Sequence, residues 1–131
     1  PLVAAQRELA EEADLQADTW NALTDYFSSP GATSEAGRVY LARNLSELPA
    51  EERSERTEEE AEMTYRWVPL AEAVQLVLGG KVHNALAIQA VLATYVAAQN
   101  NFEGLRPAEG GWEFQPYMGQ RREKPENFRN H

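Results

Sequence analysis

At 131 residues and 43% hydrophobic side chains, the chain is long enough for one core of ordinary size, and its composition is that of a soluble globular protein. A formal net charge of −9 repels phosphate backbones and anionic lipid, which argues against nucleic-acid and membrane binding; any site for phosphates needs bound cations. Cysteine is absent, so neither a disulfide framework nor a thiolate metal site is available, and the cytoplasm is the default location.

Leu2, Ala5, Leu9 and Ala13 recur at helical spacing and predict an amphipathic helix from Leu2 to Ala13, ended by Asp14. Pro1 opens almost directly into this pattern, so a longer polypeptide is expected to precede it. Trp20 to Phe27 and Arg38 to Leu45, rich in aromatic and branched residues, predict two strands separated by a loop at Ser28-Ser29-Pro30-Gly31. Between Glu47 and Glu62 eight acidic residues face only Arg53 and Arg56, which predicts a solvated loop or frayed helix.

Tyr65 to Val68 has the composition of a short strand. Pro69 then opens a helix in which Leu70, Val74, Val77 and Leu78 share a face, and Gly79-Gly80 stops it. The longest apolar stretch, Val82 to Ala98, is broken by His83, Asn84, Gln89 and Thr94 and falls short of the roughly 20 residues of a membrane span. It is expected to form a buried helix from about Asn84, the N-cap, to Ala98. From Phe102 to His131 no period is sustained and an extended tail is expected, its basic Arg121-Arg122-Glu123-Lys124 run being solvated. Residues 1–99 are therefore assigned to a folded domain and 100–131 to the tail.

Chemistry concentrates in Arg7-Glu8-Leu9-Ala10-Glu11-Glu12. Three carboxylates at i, i+3 and i+4 project from one sector of a helix and repel one another, with only Arg7 inside the run to offset them. Alone, this pattern is either a solvated acidic face or a site for a hard divalent cation, Mg²⁺ or Mn²⁺, which takes oxygen ligands and completes its shell with water and substrate phosphates.

The longer run Arg7-Glu8-Leu9-Ala10-Glu11-Glu12-Ala13-Asp14-Leu15 resembles the second half of the Nudix box, R-E-U-x-E-E-x-G-U with U a bulky aliphatic. Asp14 stands where that pattern has Gly, and Asp tolerates left-handed backbone better than most residues. Pro30, fifteen residues beyond Leu15, together with Ser29, Gly31 and Glu35, resembles a loop of the ADP-ribose pyrophosphatase subgroup, with Ala32 in place of a frequent Phe. The tracts Met63 to Ala73 and Asn84 to Ile88 are similar to the closing strand and last helices of the family, so the resemblance extends to about residue 98.

The resemblance implies an α/β (α+β) fold, the α/β/α sandwich of the Nudix family with a mixed sheet, expected here to be incomplete at its N-terminus. It implies Glu8 and Glu12 as metal ligands, Glu11 as a further ligand or support, and Arg7 as the group orienting them. Pro30, Gly31 and Glu35 are implied at the substrate, and Glu60 in the run Glu58 to Met63 as the general base, with its neighbours as rivals. The implied reaction is Mg²⁺-dependent hydrolysis of ADP-ribose to AMP and ribose 5-phosphate, in a homodimer whose N-terminal region helps build the partner's site, with the apolar Leu86 to Val96 helix a candidate for the interface.

Hydrolysis of sugar nucleotides or dinucleotide polyphosphates is the alternative inside the enzyme class. A catalytically silent binding module is the alternative outside it. His83 has no second His or Cys nearby and is expected to be structural, and Trp20, Trp67 and Trp112 are expected to pack rather than stack a base. The chain has no P-loop, nucleophile elbow or paired-His motif.

Overall fold

A computed structural model describes residues 1–55 and 64–111. Helix α1, Leu2–Ala13, lays its small and aliphatic residues Leu2, Ala5, Leu9 and Ala13 inward and leaves Arg7, Glu8, Glu11 and Glu12 exposed. Asp14 terminates it in the left-handed conformation at φ 55° and ψ 36°, its N–H donating back to Ala10. That turn reverses the chain into β1, Leu15–Phe27, which pairs antiparallel with β2, Ala36–Glu47.

Both strands exceed the expected spans, because the ladder extends from Leu15↔Glu47 to Phe27↔Ala36 and recruits polar residues that the apolar pattern alone does not mark. The register shifts between Ala22 and Thr24, a bulge of the kind that re-aims the side chains beyond it. Residues Trp20, Ala22, Asp25, Arg38 and Tyr40 share one sheet face, where the Trp20 and Tyr40 rings meet edge to face at 6.4 Å. Leu2 and Gln6 of α1 line a cleft with Trp20, so α1 lies along the first half of β1 on this face.

After a single 3₁₀ turn at Ala50–Glu52, the described chain resumes at Thr64 and enters α2, Leu70–Leu78, then α3, Ala85–Gln99. Asn84 caps α3 by accepting a hydrogen bond from the Ala87 N–H at 3.0 Å. The two helices pack on each other, and α3 docks on the other sheet face, where the Thr24 hydroxyl donates to Gln89 Oε1 at 3.0 Å. Helices on both sides of a sheet agree with the α+β class. The described sheet, in order β2-β1-β3 with β3 at Arg106–Pro107, is antiparallel in both pairings; the parallel pair that a mixed sheet needs does not occur among the described residues.

Three expectations are corrected. Residues 64–69 form no strand, and Trp67 is 77% exposed. The chain beyond Phe102 is not simply extended: Asn101, Phe102 and Gly104 adopt positive φ and turn it back. Arg106–Pro107 then adds a third strand, β3, beside Asn21 and Ala22. Finally, α3 carries apolar residues on every side but packs along one, so Ala97 is buried while Leu86, Tyr95 and Val96 are exposed. Leu78, on the last turn of α2, is likewise 70% exposed, leaving Val74 as that helix's buried residue.

Candidate functional site

The expected ligands Glu8, Glu11 and Glu12 all sit on the exposed side of α1, as their i, i+3, i+4 spacing dictates. Arg7 approaches Glu11 at 4.0 Å, one helical turn on, but both side chains are about half exposed, so this pair contributes little to stability. Each of these carboxylates is reachable from solvent. Among the described residues no three His, Cys, Asp or Glu side chains converge as a ready-made metal cage. An all-oxygen donor set on one rigid helical face nevertheless fits a hard divalent cation, which is commonly held by one or two carboxylates, with water and substrate oxygens filling the rest.

The β1–β2 connection is closed by its own polar groups. Ser29 carbonyl accepts from the N–H groups of Ala32 at 3.0 Å and Thr33 at 2.8 Å, so Pro30 and Gly31 ride on a tight turn. Glu35 holds the loop's end: its carboxylate accepts from the Ser28 hydroxyl at 2.9 Å and its N–H donates to Thr33 Oγ1 at 3.1 Å. Phe27 lies seven residues beyond Trp20 on β1, roughly 20 Å at about 3.3 Å per residue. Pro30, Gly31 and Glu35 are thus brought together with one another, but not with the α1 glutamates of the same chain. Glu60 lies outside the described residues, as does Trp112.

Two rungs inside that loop is a cluster that no motif marked. Asp25 and Arg38 are cross-strand partners, and the guanidinium donates to the carboxylate through Nε at 2.6 Å and Nη2 at 3.1 Å. Both side chains are almost fully buried, at 7% and 5% exposure. Arg106 donates to the second oxygen of Asp25 at 2.7 Å, and Arg38 also donates to the carbonyls of Gly110 at 3.0 Å and Gly111 at 3.3 Å. Burial pushes the Asp25 carboxyl pKa up, but hydrogen bonds and charge from Arg38 and Arg106 outweigh it and hold the group below its ordinary 3.8. The hydrogen bond to Asp25 in turn raises Arg38. Opposite charges two residues from each end of a hairpin loop were a readable signal, but only once the register was known.

A cleft of about 770 Å³ opens at the C-terminal turn of α1, between Asp14, Leu45, Arg53, Tyr65 and Trp67. His83 is exposed and pairs with the Gly80 carbonyl at 2.8 Å, which agrees with a structural role. No described helix is long and apolar enough to cross a membrane.

Residues 1–90 match the NUDIX domain, and the chain belongs to that family. A relative, an ADP-ribose pyrophosphatase of Mycobacterium tuberculosis, is 45% identical to it over 112 residues. The match covers 86% of this chain and 52% of that protein, so the chain spans about half the length of the relative.

Proposed function

We propose that this polypeptide carries the acidic helix of a hydrolase that cleaves the pyrophosphate bond of ADP-ribose, giving AMP and ribose 5-phosphate. The observation that carries the reading is the solvent-facing Glu8, Glu11 and Glu12 set, in a family member 45% identical to an ADP-ribose pyrophosphatase. Glu8 and Glu12 would hold Mg²⁺, or Mn²⁺ in its place, with Glu11 supporting them and Arg7 orienting Glu11 across one turn. When bound, such ions neutralise phosphate charge and lower the pKa of a coordinated water. Without them, a chain of net charge −9 would repel a nucleoside diphosphate.

Glu60 is assigned the proton from the attacking water. The water oxygen bonds to phosphorus, the bridging oxygen leaves with its electron pair, and the carboxylate takes up the water's proton. Pro30, Gly31 and Glu35 are assigned to substrate binding. Their distance from the glutamates of their own chain favours a homodimer in which this loop serves a site shared between copies. The exposed Leu86, Tyr95 and Val96 of α3 supply apolar surface for that contact.

The test is AMP release from ADP-ribose with Mg²⁺, beside a panel of sugar nucleotides and dinucleotide polyphosphates. Turnover of ADP-ribose that collapses in Glu12→Gln supports the reading. Preference for another panel member moves the substrate assignment, and absence of turnover with every member favours a silent binding module.

A further inference from the structure

We infer that Asp25, acting through Arg38 and Arg106, is a positioning residue for the Ser28–Glu35 loop, and that it sets how tightly that loop engages substrate. The inference rests on the assignment of Pro30, Gly31 and Glu35 to substrate binding. Three observations carry it.

First, Asp25 and Arg38 occupy facing positions two rungs from the loop, so any shear between β1 and β2 at that point is passed directly to Ser28 and Glu35. The rungs between them are Tyr26↔Gly37 and Phe27↔Ala36, and the loop's own closure begins at once with Ser28 N–H to Glu35 carbonyl at 3.3 Å. Second, the pair is linked by a two-point fork whose geometry tolerates little rotation, unlike a single contact. Third, Arg38 and Arg106 tie the same carboxylate to the 106–111 segment, through the guanidinium of Arg106 and the carbonyls of Gly110 and Gly111. The base of the loop is thereby braced from both sides of β1 by one carboxylate.

Stability alone is a weak reason for such an arrangement. Burying two charges costs desolvation that well-packed apolar residues of similar volume would avoid, so a buried pair of this kind is better explained by the geometry it specifies. The geometry here is that of the loop base. Asp25 touches no substrate in this scheme and acts only through the arginines and the hairpin.

The experiment compares Arg106→Met, Arg106→Lys and Asp25→Asn with the unmodified protein. Arg106 is half exposed, so its variants are expected to fold, and Asp25→Asn keeps the side-chain shape. Expected for Arg106→Met and Asp25→Asn is a KM for ADP-ribose raised roughly tenfold with kcat within about twofold, and for Arg106→Lys a KM within about threefold of the parent. In Arg106→Met, hydrogen exchange followed by mass spectrometry is expected to accelerate in peptides spanning 28–35 and 106–111, while peptides from α3 stay unchanged.

A KM within twofold of the parent in both Arg106→Met and Asp25→Asn overturns the inference, as does acceleration spread evenly through the fold in Arg106→Met, which marks a merely structural pair. If the unmodified protein turns over no substrate, the functional reading fails on its own. The exchange pattern then judges the bracing of the loop separately, and unchanged exchange at 28–35 overturns it.

Discussion

Tyr26 lays its phenol end over Gly37, its cross-strand partner, and a β-carbon at Gly37 would collide with the hydroxyl and the adjoining ring carbons. The glycine is therefore required by the tyrosine rather than by its own backbone angles. Together they form one of the two rungs between the Asp25–Arg38 pair and the loop. Gly37→Ala is expected to destabilise the fold by about 1–3 kcal/mol, the usual cost of overpacking, read as a lower urea midpoint. Tyr26→Ala combined with Gly37→Ala should recover part of that loss, since the collision partner is gone.

Asp25 makes stability depend on pH. Its folded pKa lies below the ordinary 3.8, so the unfolded chain takes up the proton first as pH falls. The stabilisation is complete above the unfolded value and is lost as pH drops through the folded one. At pH 7, Asp25→Asn leaves Arg38 buried beside a neutral group and is expected to cost about 3–5 kcal/mol. Urea unfolding of both proteins at pH 7 and near pH 3 tests the sign: the gap between them should narrow in acid. Arg106 is 48% exposed and its loss should cost less, roughly 0–1 kcal/mol.

Elements fixed by local chemistry were legible in the sequence. The α1 period, the Asn84 cap, the Gly79-Gly80 stop and the left-handed turn at Asp14 each depend on a few neighbouring residues, and each occurs as expected. The acidic face of α1 followed from spacing alone. What depends on distant partners was not legible: Arg106–Pro107 has no strand composition and pairs only because Asn101 to Gly104 turn the chain back onto β1. Tyr65 to Val68 has strand composition and forms no strand. The Asp25–Arg38–Arg106 cluster joins residues 13 and 81 positions apart, which no local pattern connects.

Among the described α-helices Asn84 alone supplies a side-chain cap, its Oδ1 accepting from the Ala87 N–H at 3.0 Å. Asn84→Ala should cost about 1 kcal/mol, and Asn84→Asp should retain most of the stability because the carboxylate still accepts from Ala87. Thermal unfolding at matched protein concentration separates the two. A loss equal in both variants would mean that the α3 start is held by its packing on α2 rather than by the cap.

Asp14 tests whether the family's glycine is dispensable at this turn. Its φ of 55° is strained for a residue with a β-carbon, though less so for Asp than for most, and its carbonyl accepts from Leu48 N–H at 2.9 Å. Asp14→Ala is expected to destabilise by about 1–2 kcal/mol because alanine has no polar side chain to ease left-handed geometry. Asp14→Gly should equal or exceed the parent. A stability order with alanine above glycine would show that the turn is not left-handed in solution.

The base is the last assignment open to a direct test. Glu60 sits among Glu58, Glu59 and Glu62, four carboxylates of equal chemistry, so composition does not choose between them. Single Gln substitutions at each position remove charge with little change in shape. If Glu60 takes the proton, Glu60→Gln should lower kcat roughly 10²–10⁴-fold, leave KM near its parent value and abolish the acid limb of the pH–rate profile. The other three variants should stay within about tenfold of the parent. A comparable collapse at a neighbour, with Glu60→Gln active, would transfer the role to that neighbour while leaving Glu8 and Glu12 as the assigned metal ligands.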